Sequence, residues 1–258
     1  MRRLVPLSLV ALLLLSGCMG GLGGTESTLT PEEADLPPGV NESGLQNASA
    51  LAAEHNETAR EVGIVLNATL TRQSVGPTES VRRVHTVMAA GGRPLNTTTA
   101  TSKYDGNGTL MGQPTVIQRW GNESTVIGRS TLAQRAGVVT DPFPPQNRNA
   151  PTQARFYFAS LGVANYTVDS VVERDGHTFT TLVANETTEK SGTVDARVLV
   201  DERGLIHEFT FHQDKGNDHE FHLEHRIIKT GPSPPERPDW AANVTEWPPE
   251  NTTQNGSA

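Results

Sequence analysis

Two sets of side chains in this sequence could do chemistry: a single thiol and a run of imidazoles. The thiol is Cys18, the sole cysteine in 258 residues. A thiol is the side chain most readily converted to a stable thioether, and its position suggests that use. It closes Leu15-Ser16-Gly17-Cys18, directly after the apolar run Leu4–Leu15, which follows the basic pair Arg2 and Arg3. A basic start and a short apolar stretch read as a secretion signal, too short to span a bilayer comfortably. Small residues before the cysteine make the pattern a lipobox, where a two-chain glyceryl lipid is joined to the sulfur. Two chains hold firmly where one holds weakly, since each buried methylene contributes about 0.8 kcal/mol. The expectation is a signal peptide over 1–17 and lipidation at Cys18. The mature protein would then be anchored to the extracellular face of the cell membrane. The competing reading is an ordinary signal peptide with a chance cysteine.

The imidazoles cluster late. Five of eight histidines fall within 207–225: His207, His212, His219, His222 and His225. Two strands, 204–213 and 219–228, can be paired so that Phe211 faces Phe221, Phe209 faces Leu223 and His207 faces His225. Two facing histidines can ligate a metal, but a site needs a third ligand and a supporting shell, and none is evident. No metal and no cofactor are expected. His55 and His85 read as structural. Phosphate-loop, nucleophile-elbow and zinc-protease patterns are absent, so the chain is not read as an enzyme.

The elements that would position these groups are mostly strands. Asn47 is a plausible cap and Gly63 a plausible stop for a helix over 48–62, with Leu51, His55, Ala59 and Val62 on one face. Ile64, Leu66, Ala68 and Leu70 then alternate with Val65, Asn67, Thr69 and Thr71, the pattern of a half-buried strand. Further strands are expected at 81–89, 96–104, 109–119, 124–131, 166–174, 177–184, 193–201, 204–213 and 219–228. Asp175-Gly176 marks a tight hairpin. A short helix is expected at 152–161, after a Pro-rich loop at 141–151. The sum, roughly ten strands and two helices, is α+β with a curved, mostly antiparallel sheet forming an open half-barrel. Residues 18–40 read as a flexible tether, 41–230 as one domain and 231–258 as a disordered Pro/Asn-rich tail. Trp240 and Trp247 are able to pin the first part of that tail.

Composition narrows the partners. Asp and Glu total 29 against 21 Lys and Arg; without Arg2 and Arg3 the count is 29 to 19, a net of −10. An acidic chain does not fit nucleic acid as a partner. Four lysines against seventeen arginines, with few aromatics, match proteins of salt-loving archaea. Of fifteen asparagines, twelve begin Asn-X-Ser/Thr sequons: Asn41, Asn47, Asn56, Asn67, Asn96, Asn107, Asn122, Asn165, Asn185, Asn243, Asn251 and Asn255. With 45 Ser and Thr in 258 residues, chance gives about three. A glycosylated surface is expected, with a minority of sequons used.

The lipobox, the tether, Pro37-Pro38-Gly39-Val40 and a helix containing Leu51, Ala52 and His55 resemble a family of haloarchaeal surface lipoproteins. So does the stretch from Val194 to Glu208, a strand, a tight turn and a returning strand. The layout over 36–228 is similar to the LolA and LppX/LprG carriers, in which an antiparallel sheet curls over one or two helices. No binding residue carries over from them. The resemblance implies a concave apolar face that binds a lipid or other hydrophobic ligand. Its lining here would be Ile64, Leu66, Leu70, Phe156, Phe209, Phe211, Phe221 and Leu223, with entry between the two helices. The alternative is a glycosylated surface scaffold or interaction module with a packed core and no ligand. A void of several hundred Å3 on that face would separate the two.

Overall fold

The structure, a computed structural model, describes residues 26–73, 78–123, 125–131, 136–139, 152, 154–189, 191–216 and 219–242. Cys18, the loop at 141–151, the Phe156 side chain, Trp247, Asn243, Asn251 and Asn255 lie outside the described residues.

Chain order is β1 (Ser27–Leu29), β2 (Val40–Asn41), β3 (Gly44–Leu45), α1 (Ala48–Val62), β4 (Ile64–Gln73), β5 (Glu79–Met88), β6 (Leu95–Tyr104), β7 (Thr115–Gly121), β8 (Val126–Ser130), β9 (Ala136–Val139), α2 (Ala154–Leu161), β10 (Thr167–Arg174), β11 (His177–Thr188), β12 (Gly192–Asp201), β13 (Ile206–Asp214), β14 (Glu220–Thr230) and α3 (Asp239–Ala242). Twelve of the strands form one open antiparallel sheet in the order β1-β10-β11-β12-β13-β14-β4-β5-β6-β7-β8-β9. Two meanders, β4 to β9 and β10 to β14, are thus joined where the last long strand, β14, pairs with the first, β4. The α+β class with a curved, mostly antiparallel sheet holds.

Local chemistry explains α1. The Asn47 side chain accepts a hydrogen bond from the Ala50 N–H at 3.0 Å, and the Gly63 N–H closes the helix on the Ala59 carbonyl. Gly63 sits at φ 72, where a Cβ would lie 2.5 Å from the Ala90 nitrogen, so only glycine fits. Alternation along β4 is as expected: Ile64, Leu66, Ala68 and Leu70 are buried, while Asn67 is exposed. The Asp175-Gly176 hairpin forms with both residues at positive φ, as a tight primed turn requires.

The structure corrects several expectations. The strand expected at 109–119 begins only at Thr115, because Gly112 turns at φ 79 and Pro114 follows. Of the segment read as a tether to residue 40, the part from Glu26 on lies against the domain. There β1 pairs with β10, Pro37 is buried, and the Gln46 and Asn47 N–H groups reach the Gly39 carbonyl. The first part of the expected tail is also docked. After Gly231 bonds back to the Gly63 carbonyl, Trp240 and Ala241 pack against Trp120 and Ile127. The Arg129 guanidinium lies 4.9 Å from the Trp240 ring and that of Arg237 5.5 Å from the Trp120 ring.

The β13–β14 register is shifted by two from the expected one. Phe211 faces Leu223 and Phe209 faces His225. A shift of two keeps every side chain on its expected face. His207 is the exception, because it is the extra residue of a β13 bulge opposite the Leu199–Val200 step of β12, which breaks the ladder at that point.

Candidate functional site

The helices α1 and α2 lie on the inner face of the sheet. There Ile64, Leu66, Phe209 and Leu223 are 0% exposed, Phe211 1% and Leu70 7%; Phe221 is half-buried. They divide between two packed clusters. Leu70, Phe209, Phe211 and Leu223 join Leu51 of α1 and Tyr157 and Leu161 of α2, with Phe221 against them. Ile64 and Leu66 join Ala59, Met88, Leu95 and Leu205. A side chain lining a ligand-sized void keeps accessible surface, and these keep almost none. They pack against one another and against residues of the helices, as core side chains do.

A polar cluster that the sequence did not announce is embedded in this core. His55 of α1, Tyr157 of α2 and His225 of β14 are 0%, 0% and 4% exposed. Their rings are mutually edge-on, with centroids 4.8 Å apart for His55–Tyr157 and for Tyr157–His225. The partners determine the tautomers. The Ile206 N–H donates to His55 Nδ1 at 3.0 Å, so Nε2 carries the proton and donates to the Thr152 carbonyl at 3.1 Å. His225 Nε2 donates to the Ile206 carbonyl at 3.1 Å, leaving Nδ1 to accept from the Tyr157 hydroxyl. Ile206, next to the bulge, thus uses both backbone groups to hold two imidazoles from elements far apart in sequence.

Electrostatics agree with neutral rings. Burial holds the His55 imidazole down to about 4, against a weaker upward pull from its bond to Thr152. His225 is held well below its ordinary value, by burial first and by neighbouring His55 second. Burial also pushes the Tyr157 phenol well up. With every ring nitrogen engaged and almost no surface exposed, this cluster ties both helices to the sheet.

The other histidines are dispersed. His207 Nε2 lies 3.1 Å from the Asp201 carboxylate, so it does not face His225. Burial alone would raise the Asp201 carboxyl, but bonds from His207, Leu205 and Arg203 more than offset it and hold it low. His212 and His222 face one another on the outer side, next to Glu220 and Glu224 respectively. Among the described residues no three His, Cys, Asp or Glu side chains converge as a metal site. No described helix is long and apolar enough to cross a membrane.

The outer face carries an open polar pocket of about 470 Å3. Gln73, Glu79, Arg83, Tyr104 and Asp105 line it, at the end of the sheet away from the Asp175-Gly176 turn.

The nine described sequon asparagines differ in accessibility. Asn107 is exposed at a turn tip and Thr109 is exposed beside it; Asp105 Oδ1 accepts the backbone N–H groups of both. Asn185 is exposed on β11. Asn41, Asn47, Asn67, Asn122 and Asn165 each have a side-chain partner, respectively Ser43, Ala50, His85, Thr125 and Glu186. Asn96 is half-buried. The sequon at Asn56 is locked into α1. Thr152 donates to the Asn56 carboxamide oxygen, and the Thr58 hydroxyl, 3% exposed, donates to the Arg203 carbonyl.

No family model matches the chain, and no curated protein matches it. Among solved structures the chain is similar to the crystal structure of LprF from Mycobacterium bovis. The identity is 10%, the match covers 77% of this chain and 99% of that one, and the TM-score is 0.39.

Proposed function

We propose that this protein is an exported, glycosylated cell-surface module, held to the membrane by a lipid on Cys18, whose sheet is a packed, non-catalytic scaffold. The scaffold reading is carried by the inner face. Of the residues expected to line a ligand cavity, Ile64, Leu66, Leu70, Phe209, Phe211 and Leu223 keep almost no accessible surface and pack into two clusters, which supports a core. The anchor reading is carried by the lone cysteine behind Leu15-Ser16-Gly17. An interaction surface is then sought on the outer side, where the pocket beside Tyr104 and the exposed Asn107 lie.

A second reading is a hydrophobic-ligand carrier. It is favoured by the apolar continuity beneath α2, where Leu182, Val198, Phe209, Phe211 and Leu223 form one surface covered by an eight-residue helix. In that reading α2 must lift for a ligand to enter, which breaks the Tyr157–His225 bond. One experiment addresses both readings: Cys18→Ser and wild-type proteins are compared for membrane fractionation, and the soluble domain is titrated with a fluorescent lipid. Release of the serine variant with no saturable lipid binding is the expected result. Retention of a normally processed variant refutes the anchor, and saturable binding refutes the closed scaffold.

A further inference from the structure

The described chain starts at the edge of the sheet. Ser27 pairs with Glu173, Thr28 with Val172 and Leu29 with Val171, and Glu26 meets Arg174 at 3.2 Å. Because β1 runs antiparallel to β10, its Glu26 end lies toward the Asp175-Gly176 turn. The turn at Glu202–Gly204 lies at that same end, since Phe179 pairs with Asp201 and the Glu202 N–H reaches the Thr178 carbonyl. The opposite end carries the polar pocket and the turn between β13 and β14.

Lengths decide what this does to an anchored domain. A leash from Cys18 to Val40 has 22 residues and reaches at most about 77 Å; one from Cys18 to Glu26 has eight and reaches about 28 Å. The eleven residues of β14 are about 36 Å long. The long leash would let the domain turn end over end above the membrane. The short one is shorter than the sheet is tall and leaves from one end of it, so inversion is out of reach.

We propose that β1 is a membrane clip: it shortens the leash and stands the sheet with the Asp175-Gly176 and Glu202–Gly204 turns toward the lipid surface and the Tyr104 pocket away from it. The inference rests on lipidation of Cys18. The three-residue edge pairing is the weakest joint. Where it opens, the next fixed point is the buried Pro37 and the turn at Gly39, and the leash lengthens to 19 residues, at most about 66 Å.

The test uses the full lipidated chain in vesicles of three parts phosphatidylcholine to one part phosphatidylglycerol, with an energy-transfer acceptor on a headgroup. Cys18 is consumed as a thioether, so an introduced cysteine is the one free thiol for a donor dye. Lys229 and Lys215 are both exposed: Lys229 lies near the C-terminal end of β14 and Lys215 in the turn that precedes its other end. Transfer from Lys229→Cys is expected to exceed that from Lys215→Cys by about threefold or more. A Thr28→Pro/Leu29→Pro variant removes a ladder N–H whichever of the two faces β10. It should bring the ratio to about one while flotation with vesicles is unchanged. A ratio of about one with β1 intact, or a ratio the prolines do not alter, overturns the clip and leaves the anchor standing. Failure to float with the vesicles overturns both.

Discussion

Acid should loosen both helices from the sheet, with a slope set by two imidazoles. His55 and His225 are neutral in the fold, with all four ring nitrogens engaged. In the unfolded chain an imidazole titrates near 6.5, whereas burial holds His55 at about 4 and His225 well below its ordinary value. Below pH 6.5 the unfolded chain therefore binds protons that the folded one refuses, and stability falls with pH. The contribution is complete above pH 6.5 and is lost for His55 between 6.5 and about 4. His55 loses about 1.4 kcal/mol per pH unit in that window. At pH 5 that is about 2 kcal/mol for His55, with His225 adding to the loss in the same direction, a sizeable share of the ~5–15 kcal/mol that holds a typical domain. The assay is urea unfolding followed by far-UV circular dichroism from pH 8 to 5 at constant ionic strength. In His225→Asn the side-chain oxygen stands near the place of Nδ1 and can still accept from Tyr157, but one titrating group is gone. The loss should be smaller than in wild type. Equal slopes in wild type and variant, or a wild-type stability flat between pH 7 and 5, would refute the reasoning.

Two further outcomes are expected. Gly63→Ala should cost about 3 kcal/mol in urea unfolding, from the left-handed backbone and the 2.5 Å approach to Ala90 together. Gly108→Ala, also at positive φ but with nothing within 4 Å, should cost about 1. In protein from a glycosylating host, Asn107→Gln should remove one glycan mass, whereas Asn56→Gln should leave the intact mass pattern unchanged. A glycan found at Asn56 would mean that modification precedes folding of α1.

Much of the architecture was legible because its signals are local. The cap at Asn47, the stop at Gly63, the alternation from Ile64 to Leu70 and the Asp175-Gly176 turn each sit within a few residues of what they specify. The β13–β14 hairpin was legible in its faces but not in its register, since a five-residue connection admits pairings that differ by two. β1 was hidden because Ser27-Thr28-Leu29 lies in a Gly-, Ser-, Glu- and Pro-rich stretch, and only the open edge of β10 makes it a strand. The imidazole–phenol cluster was legible piecewise: His55 stood on the apolar face of its helix, and Tyr157 in the short one. Their meeting with His225, 68 residues beyond Tyr157, depends on a bulge at Ile206 that no local pattern marks.

The seam between β14 and β4 also sets the order of events during biogenesis. Glu220 pairs with Gln73 and Thr230 with Ile64, so β4 waits for about 150 further residues before its partner exists. At a synthesis rate of ~5–20 residues per second that wait is about 10–30 s. Throughout it one edge of the first meander presents unpaired backbone groups, the kind of edge that recruits other chains. The nascent protein is therefore most prone to aggregation between the emergence of β4 and that of β14. Chain truncations just short of Glu220 should be far less soluble than the whole.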